Sequence, residues 1–451
     1  MRSVRYYAMS ALLVWGIMLM PLPVSSEVKA EEIQAWLDDE NLNRHMDHLT
    51  RIPRPPATET EFAAGVYVED TLRSYGYETT LQPFSYYTYR KPSTLSLSIE
   101  GWSTQNWNPK SIPFGPNGAA TSIIVNSGLG TAADFHHGNA RGNIAFIKRG
   151  SISFAEKVRQ AAAAGAVAAI IWNDKDGEWK GTLAEPLDMS VPVIALPREE
   201  GLLIQKRLAA KEQLKATVNV DGGLSSKQTS YNFIASRKPA QGGTGQIVLL
   251  TGHHDSVPIS PGANHGAAGL SVLLEVARNM SDRPIDTEIR FVSFGAVSSG
   301  ERGPIAFADS LSAGEKEKII AAFSLDGVGN QDKGDLLVTT GNGTKNLPAN
   351  LVVEAGARFS SASHDQVRGN SEFYTLAAAG IPTALVTRPP VNTLRDQPQD
   401  TRDKISMAYL TEATQVMFAV ISQMTDPSTP AYPKTGGSKL SRKATAEEEF
   451  Q

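Results

Sequence analysis

The chain has 451 residues, of which 41% are hydrophobic and 20% are charged, so it is long enough for two or three domains, each with its own core. Its formal net charge is -4 and its pI is near 6.1. No long basic run occurs outside the first and last few residues, which argues against nucleic-acid binding. The absence of cysteine excludes disulfides, thiolate metal ligands and cysteine nucleophiles, so any metal must be held by His, Asp or Glu.

The first 30 residues have the layout of a secretory signal peptide. Arg2 and Arg5 precede an apolar run over residues 8–20, and the small residues that follow allow cleavage after Ser26 or Ala30. An uncleaved anchor is the alternative, although the run is shorter than the ~20 residues that a membrane-spanning helix needs. We therefore expect a secreted, extracellular protein with no stable membrane span after cleavage.

Residues 31–106 begin with two segments of helical spacing, "EEIQAWLDDENLNRHMDHLTRI" and "FAAGVYVEDTLRSYGYE". The aromatic-rich "TTLQPFSYYTYR" follows and predicts a strand. Two helices that lead into a strand fit the edge of an α/β layer. We therefore assign residues 31–106 to the first part of a domain that resumes after residue 220.

Residues 107–220 have the character of a separate unit. "GNIAFIKRGSISFAEKVRQAAAAGAVAAIIWND" predicts a strand, a glycine turn, an alanine-rich helix and a second strand, and "SVPVIALPREEGLLIQKRLA" repeats strand, turn and helix. These two stretches resemble a protease-associated (PA) domain. The resemblance implies an inserted α/β lobe that acts as a lid or binds protein, without chemistry of its own.

Residues 221–430 open with a linker, "DGGLSSKQTS", and then alternate apolar β-runs such as "QIVLLTG" with helical stretches such as "LSVLLEVARNM". This alternation predicts an α/β domain whose mostly parallel sheet is covered by helices on both faces, with any site at the carboxyl ends of the strands. The polar residues 431–451 lack a periodic apolar face and predict a disordered tail.

The stretch "TGHHDSVPISPGANHGAAG" places His253 and Asp255 directly after a β-run, where an imidazole is able to bind a metal while a nearby carboxylate fixes its ring. Residues 231–406 also contain "FVSFGAVSSGERG", "FSLDGVG" and "DQPQDTRDKIS" in that order. This region resembles the two-zinc aminopeptidase family that includes bacterial leucyl aminopeptidases, aminopeptidase Y and glutamate carboxypeptidase II. With the PA unit, the resemblance covers nearly all of the chain after residue 30.

The resemblance implies a set of metal ligands. In that family two zinc ions share a bridging carboxylate and a water, and a neighbouring Glu removes a proton from the water. His253 matches the first ligand, Asp255 the carboxylate that orients it, and Asp326 the carboxylate ligand of the same metal. Asp396 takes the place of a ligand histidine, and an aspartate is also able to bind zinc.

Three further positions depart from the family pattern. Asn264 takes the place of the bridging Asp, and a neutral amide lacks the shared negative charge that two cations require. Val297 stands at the position of the general-base Glu, and Ser298 at that of the adjacent Glu ligand. Loss of a positioned base is worth roughly 10²- to 10⁴-fold in rate. We therefore expect one weak zinc site or none.

Substitutes for these groups remain open. A loop shift would bring His265 or Glu301 inward, although Glu301 fits a surface charge better. Ser298 and Ser299 also suggest a serine nucleophile, but the sequence has no recognisable G-x-S-x-G elbow and no assigned base. Small residues that fill a vacated pocket are the simpler interpretation.

The main hypothesis is a secreted, non-catalytic pseudopeptidase that binds a peptide or protein. The alternative is a zinc-dependent aminopeptidase that removes N-terminal residues through a remodelled single-metal site on His253, Asp326 and Asp396. A hydrolase of another class in the same crevice is a third hypothesis, because a fold does not fix a function.

Overall fold

The computed structural model describes residues 37–433, apart from residues 103, 136–138, 333, 342, 360–361, 366–371 and 390–392. The predicted signal peptide and residues 434–451 of the predicted tail lie outside the described residues. None of the helices in this described part is long and apolar enough to cross a bilayer.

Several helices begin at a residue whose side chain caps the first turn. Asp38 accepts a hydrogen bond from the amide of Glu40, and Thr58 accepts one from the amide of Glu61, which satisfies amides that have no partner within the helix. The helices are α1 (Asp39–Leu49), α2 (Glu59–Ser74), α3 (Phe154–Ala163), α4 (Arg198–Ala209), α5 (Ala268–Met280), α6 (Arg302–Ser310), α7 (Ala313–Lys318), α8 (Leu347–Phe359), α9 (Glu372–Ala378) and α10 (Met407–Thr425).

The strands belong to two sheets, one of eight and one of seven strands. They are β1 (Glu78–Arg90), β2 (Thr94–Ile99), β3 (Lys110–Ser111), β4 (Gly118–Asn126), β5 (Ile144–Lys148), β6 (Ala168–Trp172), β7 (Val193–Leu196), β8 (Lys215–Asp221), β9 (Leu224–Arg237), β10 (Ile247–His253), β11 (Glu288–Phe294), β12 (Ile319–Leu325), β13 (Leu337–Thr339), β14 (Ser363–Asp365) and β15 (Thr383–Thr387).

The larger sheet has the order β1-β9-β11-β10-β12-β15-β13-β14. Its central strands β11, β10, β12 and β15 run parallel, whereas β9 pairs antiparallel with β11 and β13 with β15. Strands β10, β12 and β15 are buried along their whole length, as a sheet covered on both faces requires. The predicted α/β domain with a largely parallel, covered sheet is confirmed.

Separate apolar clusters cover the two faces of this sheet. One contains buried residues of α1, α2, α5, α8 and α10, among them Leu273 and Phe418. The other joins residues of β10, β11 and β12 to α6 and α9 through Phe294, Phe307 and Leu376. The sheet is therefore a rigid layer whose strand ends hold the following loops in fixed positions.

The smaller sheet has the order β2-β8-β4-β5-β6-β7-β3, with α3 and α4 each packed against one of its two cores. Its β4, β5, β6 and β7 are parallel. The sheet includes β2, which precedes residue 107, so its strands extend from Thr94 to Asp221. The chain enters the smaller sheet after β1 and returns from it into β9. These two strands of the larger sheet pair antiparallel, from Glu78 opposite Ser236 to Arg90 opposite Leu224.

Candidate metal centre

The carboxyl ends of three parallel strands bring the sequence-predicted site residues to one edge of the larger sheet. His253 is the last residue of β10, and Asp326 follows the last residue of β12. The turn that carries Val297 and Ser298 follows β11, which pairs with β10. Because neighbouring parallel strands end at the same edge, residues far apart in the chain converge there.

Two imidazoles and one carboxylate form the centre of this edge. His253, His265 and Asp326 each offer a ligand atom within 4.8 Å of the others. The Nδ1 atom of His265 lies 2.9 and 3.0 Å from the two oxygens of Asp326, and Nε2 of His253 lies 3.8 Å from Asp326 Oδ1. We call these three residues the His-His-Asp cluster; all three are buried.

The charges within the cluster support one another. Burial disfavours the charged form of His253, but hydrogen bonds and charge from Asp255 and Asp326 outweigh it and raise the pKa of His253 well above its usual range. Burial likewise opposes ionisation of Asp326, but the two imidazoles hold the pKa of that carboxyl well below its usual range. The cluster without a metal is thus held together by attraction between imidazole and carboxylate.

Asn264 is not a member of this cluster. Its side-chain oxygen accepts a hydrogen bond from the amide of Gly329 at 2.9 Å, and its backbone oxygen accepts one from Gly327 at 3.1 Å. The side chain that faces Asp326 and His253 is that of His265, the next residue. The structure therefore places His265, and not Asn264, at the position opposite these two ligands, without the loop shift that the sequence interpretation required.

The backbone at His265 explains why the neighbouring side chain enters. Residues 263–267 form a short, irregular helical turn in which Gly266 has φ 104° and ψ -68°. A Cβ atom at Gly266 would lie 3.0 Å from Cε1 of His253. Only glycine fits this close approach without a shift, and it allows the chain to turn so that His265 stands against the ring of His253, with ring centroids 4.5 Å apart.

Asp396 lies at the outer side of the cluster. Its Oδ1 atom is 3.9 Å from Nε2 of His265, and 44% of its side-chain surface is exposed. It is not a member of the three-residue group whose ligand atoms lie close together. The structure therefore brings His253 and Asp326 together, and places His265 beside them with Asp396 facing the far nitrogen of the His265 ring.

The turn after β11 presents no carboxylate at positions 297 and 298. The side chain of Val297 is buried in the apolar cluster that also contains Phe294 and Phe307. Ser298 donates its hydroxyl to Asp255 Oδ2 at 2.5 Å. Glu301 begins α6 with a left-handed backbone at φ 56°. The two positions are thus occupied by apolar packing and by a hydroxyl that is already hydrogen bonded.

Asp255 connects this turn to the His-His-Asp cluster. It is fully buried and accepts hydrogen bonds from the amides of Val297 (3.1 Å) and Ser298 (2.8 Å). Its Oδ1 lies 3.3 Å from Nδ1 of His253. Burial alone would raise the pKa of Asp255, but these hydrogen bonds and the charge of His253 hold it below its usual range. An ionised Asp255 is therefore placed to orient the His253 ring.

Two residues fix the loop between His253 and His265. The buried guanidinium of Arg54 donates to the backbone oxygens of His254 (2.7 Å) and Pro261 (2.5 Å) and to that of Leu49. Asp400 accepts hydrogen bonds from the amides of Asn264 (2.7 Å) and His265 (3.0 Å). Burial raises the pKa of Asp400 against the effect of these hydrogen bonds. Both ends of the loop are therefore held by groups outside it.

Glu61 supports the turn after β11 in a similar way. Its carboxylate accepts hydrogen bonds from the amides of Ala296 (2.7 Å) and Ala57 (2.6 Å) and from the hydroxyl of Ser230 (2.9 Å). Burial, with a contribution from the charge of Asp255, raises the pKa of Glu61 to about 7. Ala296 has a left-handed backbone at φ 50°, so this contact holds a strained residue in place.

The cluster fits one divalent metal ion. Among the described residues, His253 Nε2, His265 Nε2 and Asp396 Oδ1 are buried polar atoms without a hydrogen-bond partner. Such atoms are uncommon in native proteins and mark sites where a ligand or ion is held. Imidazole and carboxylate together are a ligand set that suits zinc.

Arg54, Glu61 and Asp400 were not identified from the sequence. Asp400 lies within "DQPQDT", so its nearness to Asp396 was visible, but its bond to the amide of His265 was not. Arg54 and Glu61 reach the site across 200 and 235 positions of sequence. No local pattern signals such contacts.

Comparisons with known proteins agree with this fold. Residues 232–421 match peptidase family M28, and residues 114–204 match the PA domain. Aminopeptidase YwaD of Bacillus subtilis strain 168 is 32% identical over 379 residues, which cover 82% of this chain and 80% of the relative.

Two solved structures are similar over most of the chain. An aminopeptidase from Aneurinibacillus sp. strain AM-1 has a TM-score of 0.64 and 36% identity, and the match covers 90% of this chain and 98% of that one. BSAP, a zinc aminopeptidase from Bacillus subtilis, has a TM-score of 0.56 and 27% identity over 92% of this chain and 99% of the other. The chain therefore belongs to peptidase family M28, among the zinc aminopeptidases that carry a PA domain.

Proposed function

We propose that this chain is an exported, aminopeptidase-like protein that binds a peptide or protein segment at the carboxyl edge of its larger sheet and does not hydrolyse it at a dinuclear zinc centre. The observation that supports the proposal is the burial of Val297, at the family position of the general base, within an apolar cluster. Export rests on the charge and apolar pattern of residues 1–30.

The chemistry of peptide hydrolysis explains why Val297 carries the argument. Attack on a peptide bond needs a group that accepts a proton from water, and such a group contributes about 10²- to 10⁴-fold in rate. A valine side chain accepts no proton. The adjacent Ser298 has a neutral hydroxyl that donates to Asp255, so it does not supply the negative charge of a glutamate at this position.

The binding role is supported by the relatives and by the exposure of the cluster. The similar proteins are named aminopeptidases, so a peptide is the ligand class that the fold accommodates. Asp396 is partly exposed while the neighbouring His265 is buried, so the cluster meets solvent at Asp396. A carboxylate at this opening would attract the ammonium group of a peptide amino terminus.

A turnover assay tests the proposal directly. We expect the zinc-loaded wild-type chain to release no nitroaniline from leucine p-nitroanilide above the rate of a chelator-treated sample. The double variant Val297→Glu/Ser298→Glu restores both carboxylate positions and should be assayed beside it, with Val167→Glu as a matched control for adding an acidic group at a partly exposed valine. Chelator-sensitive turnover by the wild type would contradict the proposal.

Peptide binding is measured with the same preparations. We expect tri-leucine to bind the wild-type chain in a calorimetric titration, and N-acetylated tri-leucine to bind at least ten-fold more weakly because it lacks the amino-terminal charge. Asp396→Asn should reduce binding of the free peptide and leave the acetylated one unchanged. Equal affinities for the two peptides would exclude recognition of the amino terminus.

A remodelled metal aminopeptidase is the second candidate, because the buried Nε2 of His253 has no hydrogen-bond partner and belongs to a group of His and Asp ligand atoms that lie within 4.8 Å of one another. A zinc ion bound there would supply a Lewis acid that polarises a peptide carbonyl. In this case the cluster holds the ion, Asp255 orients His253, and release of leucine from peptides is lost with chelators and in His253→Ala. Release that persists in His253→Ala would exclude this candidate.

A further inference from the structure

We infer that the His-His-Asp cluster is a one-ion centre in which Nε2 of His253, Nδ1 of His265 and one oxygen of Asp326 hold a single zinc or similar divalent transition-metal ion. Asp255 and Asp396 then act as the carboxylates that orient the two imidazoles. The inference deepens the proposed function and rests on it for the meaning of the site. It differs from the family arrangement in ion number and in the use of His265.

The distances between the donor atoms agree with one ion. Ligands at about 2.0–2.1 Å around a tetrahedral zinc lie about 3.3 Å from one another. Nδ1 of His265 lies 2.9 Å from Asp326 Oδ1, and Nε2 of His253 lies 3.8 Å from the same oxygen. These separations bracket the expected value, so small side-chain movements bring all three atoms to one centre.

The far nitrogen of each imidazole faces a carboxylate. Nδ1 of His253 lies 3.3 Å from Asp255 Oδ1, and Nε2 of His265 lies 3.9 Å from Asp396 Oδ1. A carboxylate behind a metal-bound imidazole fixes the ring and increases its basicity. The second separation exceeds hydrogen-bond length, and both of its atoms lack a partner among the described residues, so a short approach of the partly exposed Asp396 would pair them.

The turn after β11 explains why the site holds one ion and not two. A second ion would need a ligand from position 298, where the side chain is a hydroxyl that is already hydrogen bonded to Asp255. His265 lies beside His253 and Asp326, where the two-zinc family has a carboxylate that bridges both ions. It offers an imidazole in place of that shared carboxylate. Two imidazoles and one carboxylate favour zinc and similar transition metals over magnesium or calcium, which prefer oxygen ligands.

Metal counting tests the inference without any assay of turnover. The purified full-length chain is stripped with a chelator, reloaded with zinc, dialysed and analysed for metal and protein. We expect one zinc per chain in the wild type and in His48→Ala, a control at an exposed histidine on α1. We expect none in His265→Ala or His265→Gln. Folding of each variant is checked by its thermal melt.

The results separate this inference from the proposed function. No tightly held zinc in the wild type, or two zincs per chain, would overturn the one-ion centre. So would one zinc retained by both folded His265 variants. Turnover by a chain that holds one zinc would overturn the non-catalytic function and leave the one-ion centre intact. An inactive chain that holds no zinc would overturn the one-ion centre and leave the non-catalytic function intact.

Asp396→Asn tests the role assigned to that residue. If Asp396 only orients His265, the variant still binds one cobalt(II) ion at saturation, but about 10- to 100-fold more weakly. Its cobalt absorption bands should keep the intensity of the wild type. Asp326→Asn should bind no cobalt. If Asp396→Asn also binds none, Asp396 is a ligand and the assignment of three ligands is wrong.

Discussion

Two connections at the same edge of the larger sheet differ in the side chains that they present. The loop after β10 carries His253 and His265 and is held at its ends by Arg54 and Asp400. The turn after β11 is held by Glu61 but presents Val297 to an apolar core and Ser298 to Asp255. The first segment presents candidate metal ligands, whereas the second presents an apolar side chain and a hydroxyl that is already hydrogen bonded.

The difference shows that the backbone groups that position a site are separable from the side chains that carry its chemistry. The backbone amides of Val297 and Ser298 still bind Asp255, because that contact needs no particular side chain. A substitution that removes a carboxylate from the turn therefore leaves the orientation of His253 intact. The position of the His253 ring therefore does not depend on which side chains stand at positions 297 and 298.

Removal of the Arg54 guanidinium should have the largest effect on the loop between His253 and His265. Arg54→Ala leaves several buried backbone oxygens without a donor, so we expect a loss of about 3–5 kcal/mol in the free energy of unfolding. Urea denaturation measures the change. The control Arg73→Ala, at an exposed helical ion pair, should cost less than about 1 kcal/mol. Similar values for both variants would mean that other contacts hold the loop.

The free energy of unfolding depends on pH through Glu61, which holds the other turn. Burial raises its pKa to about 7, so the folded state binds a proton at Glu61 more tightly than the unfolded chain does, and this preference stabilises the folded state at low pH. This stability is fully present below about pH 4.5 and is lost as pH rises through about 7, a change of about 3 kcal/mol.

Glu61→Gln is the variant that measures this effect, because it keeps the shape and removes the titration. The free energy of unfolding of wild type relative to the variant should fall between pH 4.5 and pH 8 in urea titrations. A difference that stays constant over this range would show that Glu61 is not perturbed.

The buried side chain of Val297 should contribute to the free energy of unfolding. Val297→Ala removes two buried methyl groups and should cost about 2 kcal/mol in thermal or urea unfolding. Val167, which is 37% exposed, provides the control, and its change to Ala should cost less than about 0.5 kcal/mol. A cost at Val297 no larger than the control would show that its side chain does not pack as a core residue.

The smallest expected effect is at Ser298. Ser298→Ala removes one hydrogen bond to Asp255, which keeps the amides of residues 297 and 298, so the cost should be about 1–2 kcal/mol. Ser93→Ala at an exposed position serves as the control and should be near zero. If Ser298→Ala also weakens zinc binding more than ten-fold, the two loops are coupled more tightly than their separate supports suggest.

Much of the fold followed from local patterns. The apolar runs that became β10, β11 and β12 are short, and helical spacing follows two of them, which is the arrangement that predicts a parallel sheet. The positions of His253 and Asp326 at strand ends followed from the same patterns. The start of the second sheet at Thr94 was not visible, because β2 is short and its assignment depends on pairing with β8.

The assignment within "GANHG" shows where local patterns end. Asn264 and His265 are adjacent, so sequence spacing alone does not say which of their side chains faces Asp326. The positive φ of Gly266 and the hydrogen bonds from Asp400 decide it, and both depend on how distant segments pack. The same holds for Asp396, whose place beside His265 is set by the loop before α10.

The sequence by itself determined which segments form the central strands, the inserted PA unit and the presence of non-acidic side chains at positions 297 and 298, because periodicity and residue chemistry are local properties. The tertiary structure alone decided that His265 joins His253 and Asp326, and that Arg54, Glu61 and Asp400 hold their loops. The contacts of Arg54, Glu61 and Asp400 join residues more than a hundred positions apart, and that between His265 and Asp326 joins residues 61 positions apart. Their geometry exists only after the strands have paired and the helices have packed.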